Sequence, residues 1–342
     1  MKIDEAIALA ADAREVPAEI LEAAFGEIMG GAASPVKTAA LLIALRVKGE
    51  SVGEIVAAAR ALRAVATQAV APDPRTVDTC GTGGTGRSTF SISTTAAFVV
   101  AGAGVPVAKH GNRAVTGRAG SFDTLEALGV RIDLPVAANV EILGEVGIAP
   151  FFARTAHPAF RHVAPVRAEL GVRTLLNCLG PLLNPVGARH QIVGVYADSL
   201  VEPLAHALAE LGARRALVVH GSDGLDELTT TGTSRAALYD GRAVACMTID
   251  PSALGLARAR AEDLAGGDAR ENARILRAVL DGEIGPRRDI VLLNAAGALL
   301  AAEAVVGFEE GLVRAAESID SGRARGRLAA LIEAGRKWAA GA

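Results

Sequence analysis

The chain has 342 residues, room for one or two domains with a sizeable core, and two is the better fit. Lys plus Arg total 35 against 38 for Asp plus Glu, and the net charge of −3 argues against nucleic-acid binding by bulk charge while leaving room for a local basic patch. Hydrophobic residues make up 51% of the chain but aromatics only 3%, with 38 glycines, so the core is built mostly from Ala, Val and Leu and global disorder is excluded. Residues 1 to about 72 read as helices only. Pro17 and Pro35, the latter after Ser34, suit first helical turns, and Ser51-Val52-Gly53-Glu54 is a capping box opening a helix to about Ala66. Leu41, Leu42, Leu45 and Val47 give an apolar stripe. Ala71-Pro72-Asp73-Pro74 breaks this pattern.

Beyond it, short Val/Ile/Leu runs ending in Gly-rich loops alternate with helical segments, which signals α/β with a largely parallel sheet. Strands are predicted at Thr76 to Thr79, Pro106 to Lys109, Ile192 to Tyr196, Ala216 to His220 and Ile290 to Leu293. Asp240-Gly241 turns a hairpin between Ala236 and Met247. Glu169 to about Pro185 interrupts the alternation and is a candidate to rejoin the helical N-terminus. The widely spaced Cys80, Cys178 and Cys246 form no CxxC, so neither a disulfide framework nor a thiolate zinc site is indicated, and a reducing cytoplasm fits. Lys2, Asp4 and Glu5 precede any apolar run, contrary to a signal peptide. The uncharged stretch from Ser88 to Ala108 reads as a buried helix and a strand, its apolar part being shorter than the ~20 residues a spanning helix needs.

The densest chemical signal is Asp78-Thr79-Cys80-Gly81-Thr82-Gly83-Gly84-Thr85-Gly86-Arg87-Ser88, because glycines after a strand let backbone N–H groups close on a phosphate. Gly81, Gly83 and Gly86 satisfy GxGxxG, but no acid occurs between Asp78 and Asp123, which disfavours a dinucleotide. Gly81 to Ser88 nearly satisfies the P-loop pattern, with Arg87 at its lysine position. In the third reading Ser93, Thr94 and Thr95 open a helix whose amides and hydroxyls seat an anion. Lys109-His110-Gly111-Asn112-Arg113 and Arg118 follow as a local cationic patch, and two such loops suit a ligand with more than one phosphate. Gly221-Ser222-Asp223-Gly224-Leu225-Asp226-Glu227 then puts adjacent carboxylates at a strand end, where Mg²⁺ is held together with substrate phosphates.

Together these segments resemble the anthranilate phosphoribosyltransferase family. The likeness also rests on Ser91-Ile92-Ser93-Thr94, Leu125-Glu126-Ala127-Leu128-Gly129, His157-Pro158, Val166-Arg167 and Leu179-Gly180-Pro181-Leu182-Leu183-Asn184-Pro185, in the family's order over nearly the whole chain. The resemblance implies a small all-helical domain, residues 1–72 and about 169–190, which forms a homodimer. It implies a larger α/β domain, residues 73–168 and 191–342, with a mostly parallel central sheet flanked by helices. The implied reaction joins anthranilate to phosphoribosyl pyrophosphate and releases pyrophosphate in tryptophan biosynthesis, with Mg²⁺, two ions accompanying the diphosphate. The resemblance assigns phosphoribosyl pyrophosphate to Gly81, Gly83, Gly84, Thr85, Thr89, Ser91, Ser93, Thr94, Lys109 and Asn112. It assigns anthranilate to Gly81, His110, Asn112, His157, Phe160, Arg167 and Gly180, and Mg²⁺ to Ser93, Asp226 and Glu227. No covalent nucleophile or acid/base residue is required. His157 reads either as lining the anthranilate route or as a helix cap, and Arg167 either as a carboxylate partner or as an ion pair with Glu169 or another local acid.

The match departs at Thr85, where the family has Asp, at Ser91, where it has Asn, and at Phe122, where it has Ala. Phe160 replaces the Tyr of some relatives. These changes cluster around the phosphate site and imply altered metal or diphosphate affinity with transfer retained. Two other readings are a pyrimidine nucleoside phosphorylase-like enzyme, suggested by Gly120-Ser121-Phe122-Asp123, and a divergent non-catalytic paralogue that binds nucleic acid. Neither nucleic acid nor a membrane is the expected partner.

Overall fold

The computed structural model describes residues 1–84, 89–114 and 119–341. Thr85, Arg87, Thr116, Gly117 and Arg118 therefore lie outside the described residues. Four helices open the chain: α1 (Lys2–Ala11), α2 (Ala18–Met29), α3 (Pro35–Lys48) and α4 (Val52–Ala64). Ser34 accepts from Lys37 N with Pro35 at the first helical position, and the Ser51/Glu54 capping box forms in both directions. The apolar stripe of α3 divides: Leu41, Leu42 and Leu45 are buried, whereas Val47 stands in solvent.

The larger part runs β1 (Val77–Gly81), α5 (Ile92–Gly102), β2 (Val107–Gly111), α6 (Ser121–Ala127), α7 (Val136–Val146) and β3 (Ile148–Phe152). The chain then crosses through α8 (Ala153–Ala156), α9 (Ala164–Leu170) and α10 (Leu176–Leu179). It returns to the sheet with β4 (His190–Gly194), α11 (Val201–Glu210), β5 (Arg215–Gly221), β6 (Ser234–Tyr239) and β7 (Val244–Ile249). It closes with α12 (Ala269–Leu280), α13 (Pro286–Ala301), α14 (Phe308–Asp320) and α15 (Arg323–Gly341). The seven strands lie in the order β3-β2-β1-β4-β5-β6-β7, parallel through β5, with the predicted hairpin as antiparallel β6 and β7.

Strand alternation separates two cores. Ile192, Leu217, Val219 and Ala236 face the core shared with α5, α7 and α12 to α15. Val193, Val218 and Ala237 face α11 and, continuous with it, the core of α1 to α4. Leu175, Leu176, Leu179, Leu182 and Leu183, from the segment that interrupts the α/β alternation, are buried in this second core. Asn184 ties that segment to the sheet by donating to Asp78 Oδ2 and to Ala108 O, each at 2.9 Å.

Two elements differ from expectation. Ile290 to Leu293 is not a strand but the first half of α13, buried from Ile290 to Ala301. An apolar run with no period cannot distinguish a buried strand from a helix enclosed on all sides, and here Gly297 packs against Ile192, Leu217 and Leu228 under the sheet. Ile148–Phe152, not predicted as a strand, forms β3 at the sheet edge, where Pro150 is tolerated because no neighbour needs its missing N–H. Among the described residues, no helix is long and apolar enough to cross a membrane.

Close backbone packing sets one stability test. A Cβ on Gly102 would overlap Ser318 Oγ and stand 2.6 Å from Ala324 N. Gly102→Ala is expected to cost about 2 kcal/mol and to lower the melting temperature by several degrees, read by thermal circular dichroism.

Candidate active site

In the sheet β1 lies beside β4, and from this pair the chain winds outward in opposite senses, through β2 to β3 and through β5 to β7. At such a switch point the crevice beyond the strands' carboxyl ends receives ligands. Gly81 ends β1 and Gly194 ends β4. A Cβ on Gly194 would overlap the Asp226 carbonyl, and one on Gly81 would stand 2.5 Å from Asp226 Oδ2. The loop after β5 thus lies across the crevice because two side chains are missing. There Asp226 Oδ2 accepts from Gly83 N at 2.7 Å, and Glu227 Oε1 accepts from Ser93 N at 3.1 Å. Burial raises the Asp226 carboxyl, and burial followed by the Asp226 charge raises that of Glu227.

Gly83 and Gly84 both adopt left-handed backbone, φ +66° and +74°, which favours glycine. Ser93 and Thr94 stand in the first turn of α5, and Thr94 Oγ1 is buried without a hydrogen-bond partner among the described residues. Helix-end amides together with an unpaired hydroxyl make an anion seat. Thr89 pairs with Ala265 in an isolated antiparallel bridge ahead of the helix. Ser91 turns its hydroxyl to Thr124 Oγ1 at 2.8 Å, linking α5 to α6. Lys109 is 3% exposed and donates to Thr79 O at 2.7 Å, while its charge lowers the carboxyls of Asp78, Asp226 and Glu227 against their burial.

Among the described residues, the members of the expected cationic patch take separate partners. Arg113 pairs with Glu126 at 2.7 Å and lies over the Phe152 ring. His110 is buried and pushed down to about 3, first by burial and then by His157 and Lys109. Lys109 is turned inward to Thr79 O, and Arg118 is outside the described residues. Phe122 is fully buried, stacked on Phe152 at 5.3 Å, beneath Gly111.

Of the residues assigned to anthranilate, Gly180, His110, His157 and Phe160 are brought together. Gly180 O faces His110 Nδ1 at 3.2 Å, and His110 Nε2 faces His157 Nε2 at 3.2 Å. Since a carbonyl only accepts, His110 Nδ1 donates, its Nε2 accepts, and His157 Nε2 donates. His157 Nδ1 is then left buried without a partner among the described residues. The Phe160 ring meets His157 edge-on at 5.8 Å. Arg167, on α9, has its guanidinium lowered by burial and makes no ion pair with Glu169 among the described residues. Asn112 is exposed at the end of β2, its Oδ1 accepting from Arg113 N.

Two groups of donors could hold a metal. Asp226, Glu227 and Ser93 offer hard oxygen atoms beside the anion seat, the set that Mg²⁺ takes with phosphates. Asp78, Cys80 and His110 also lie within 4.8 Å of one another. That cluster is already satisfied: Asp78 accepts from His110 N and Asn184, and burial keeps Cys80 a thiol. The motifs give Asp78 no role beyond opening the glycine loop. A charged residue inside the strand Val77-Asp78-Thr79-Cys80 was the available signal.

The family profile described as glycosyl transferase family, a/b domain, matches residues 73–325, and the helical bundle domain of the same family matches residues 4–66. The anthranilate phosphoribosyltransferase of Moorella thermoacetica is 55% identical over 313 residues, 92% of each chain. The chain belongs to the anthranilate phosphoribosyltransferase family. The namesake enzyme of Rhodospirillum rubrum is 50% identical over 95% of this chain and 94% of its own. The crystal structure of the Thermus thermophilus enzyme superposes with a TM-score of 0.92 at 43% identity, covering 97% of this chain and 99% of that one. The Saccharomyces cerevisiae enzyme in complex with PRPP and Mg gives 0.86 at 29% identity, covering 94% and 93%. The fold is the expected one for this family, a helical N-terminal domain and a larger domain with a mostly parallel sheet flanked by helices. At these identities the transferase reading stands over the nucleoside phosphorylase and the nucleic-acid-binding paralogue.

The histidine pair sets a pH dependence. Burial pushes His157 down to about 4, so between pH 6.5 and 4 the unfolded chain takes up protons the folded pair refuses. This stability is complete above the unfolded value and is lost as pH falls. Asp78, pushed up to about 6 by burial, acts in the opposite sense, holding a proton in the folded state that the unfolded chain releases. His157→Gln is therefore expected to lose about 2 kcal/mol less than the parent protein between pH 7 and pH 4.5, read from urea midpoints.

Proposed function

We propose that the chain transfers the 5-phosphoribosyl group of phosphoribosyl pyrophosphate to the amino group of anthranilate and releases pyrophosphate. This is the second step of tryptophan biosynthesis from chorismate, and it takes place in the cytoplasm. The carrying observation is the Asp226–Glu227 pair laid over the amides of the glycine loop and of α5, beside the inward-turned Lys109.

Ser93, Asp226 and Glu227 would hold Mg²⁺, with two ions accompanying the diphosphate. Bound there, the cation offsets the negative charge of the diphosphate. The chain's own groups do the rest. Gly83 N and Ser93 N now donate to carboxylates, so phosphate oxygens reach these amides only when the carboxylates give them up. As the anomeric carbon–oxygen bond breaks, positive charge grows on the ribose and negative charge on pyrophosphate. The amides at the start of α5, the Thr94 hydroxyl and Lys109 are fixed before that charge develops, the arrangement that makes electrostatic stabilisation effective. Gly81, Gly84, Thr89, Ser91 and Asn112 complete the phosphoribosyl pyrophosphate side in this reading.

Arg167 offers its fork of donors to the anthranilate carboxylate. The His110–His157–Phe160 wall, anchored at Gly180, orients the ring so that the amine faces the anomeric carbon. In the same reading residues 1–72 and about 169–190 form one discontinuous domain, supported by the burial of Leu175 to Leu183 in the α1 to α4 core. The homodimer forms through this domain. Val36 and Val47 support it, standing 78% and 82% exposed on α3.

The deciding assay is loss of anthranilate fluorescence with phosphoribosyl pyrophosphate across Mg²⁺ concentrations. Turnover is expected, and none at any concentration overturns the reading. Glu227→Gln should lower kcat/KM at least about 100-fold at fixed Mg²⁺, since it removes a carboxylate from the metal and charge from the crevice. Val36→Lys combined with Val47→Lys is expected to convert dimer to monomer in light scattering, with helicity unchanged.

A further inference from the structure

Arg173, in the segment between α9 and α10, stands at the glycine loop although neither composition nor motif drew attention to it. Its guanidinium carbon lies 4.4 Å from the centre of the Tyr196 ring. A Cβ on Gly84 would stand 3.5 Å from its Nε and 3.6 Å from its Nη2, so the guanidinium passes directly along the bare face of Gly84. Tyr196 is itself fixed to the loop, since its N donates to Thr82 Oγ1 at 3.0 Å and Thr82 N donates to Gly194 O at 2.9 Å.

Stacking on an aromatic face holds a guanidinium while leaving its in-plane N–H groups free to donate. Elsewhere on this protein such groups are taken by acids, as in Arg113 with Glu126 and Arg288 with Asp320, or by backbone carbonyls, as in Arg63 with Leu182 O and Arg314 with Ala304 O. Arg173 makes no ion pair among the described residues, and the sequence holds no Asp or Glu from Thr79 to Phe122 to supply one from the loop. An arginine fixed by stacking, without an anionic partner, above a loop whose Gly83 amide already holds a carboxylate, is matched to an anion that is not part of the chain.

We infer that Arg173 is a phosphate-binding residue for phosphoribosyl pyrophosphate, held over the glycine loop by Tyr196 and donating to a phosphate oxygen once the substrate is seated. The inference deepens the function proposed above and rests on it. Because Arg173 belongs to the crossing segment and Gly84 to the sheet domain, the contact also joins these two parts across bound substrate.

The test is steady-state kinetics of Arg173→Gln, Arg173→Lys and Tyr196→Leu, each checked against the parent melting temperature. Arg173→Gln should raise KM for phosphoribosyl pyrophosphate about tenfold or more and leave KM for anthranilate within about twofold. Arg173→Lys should recover part of that loss, and Tyr196→Leu, which keeps the charge but loses the stack, should show an intermediate rise. Titration calorimetry with pyrophosphate and Mg²⁺ should show the same weakening. An unchanged KM for phosphoribosyl pyrophosphate in a folded Arg173→Gln protein overturns the assignment. So does a rise confined to anthranilate. Should the parent protein lack transferase activity, the function fails, and the pyrophosphate titration still decides whether Arg173 holds phosphate.

Discussion

Two carboxylates held on backbone amides at the β1/β4 switch point organise this protein. Asp226 and Glu227 sit where anions belong, at Gly83 N and Ser93 N, and burial raises both carboxyls. Such an arrangement persists only because the surroundings supply hydrogen bonds and Lys109 supplies an opposite charge. It also demands that Gly81 and Gly194 carry no side chain, since any Cβ at Gly194 would fill the space of the Asp226 backbone. The glycine-rich strand ends therefore serve a tertiary purpose, the passage of an acidic loop over the crevice.

Around this centre, polar groups bind the parts together. Asp78 joins His110 N to Asn184, and Asn184 reaches on to Ala108 O, so the crossing segment is fastened to β1 and β2 at one point. The His110–His157 pair then links β2 to the turn after α8 and, through Gly180, back to the same segment. These groups are buried, and a partner lost from such a network leaves another unsatisfied, so the network specifies one relative position of its elements.

The family motifs, the capping box at Ser51, the turn at Asp240-Gly241 and most strands were legible because each depends on neighbours within a few residues. Misreadings arose where distant contacts decided. Ile290 to Leu293 carries no period because α13 is enclosed on every side, and Ile148–Phe152 hides its strand character behind Pro150 at a sheet edge. The run from Lys109 to Arg113 reads as a patch of positive charge until Glu126 takes Arg113 and burial lowers His110. Phe122, bulky in a place of small residues, lies under Gly111 in the core.

Sequence alone determined the α/β class, the helical N-terminus, the ordered set of phosphate, acid and histidine motifs, and with them the family. These are properties of short segments, carried by spacing and residue type. Tertiary structure decided which charges survive, which face each motif residue turns to, and that Arg173 and Tyr196, 23 positions apart in the chain, meet over Gly84. The physical reason is that burial and charge pairing act between residues brought together by folding, and no local pattern records which partner arrives.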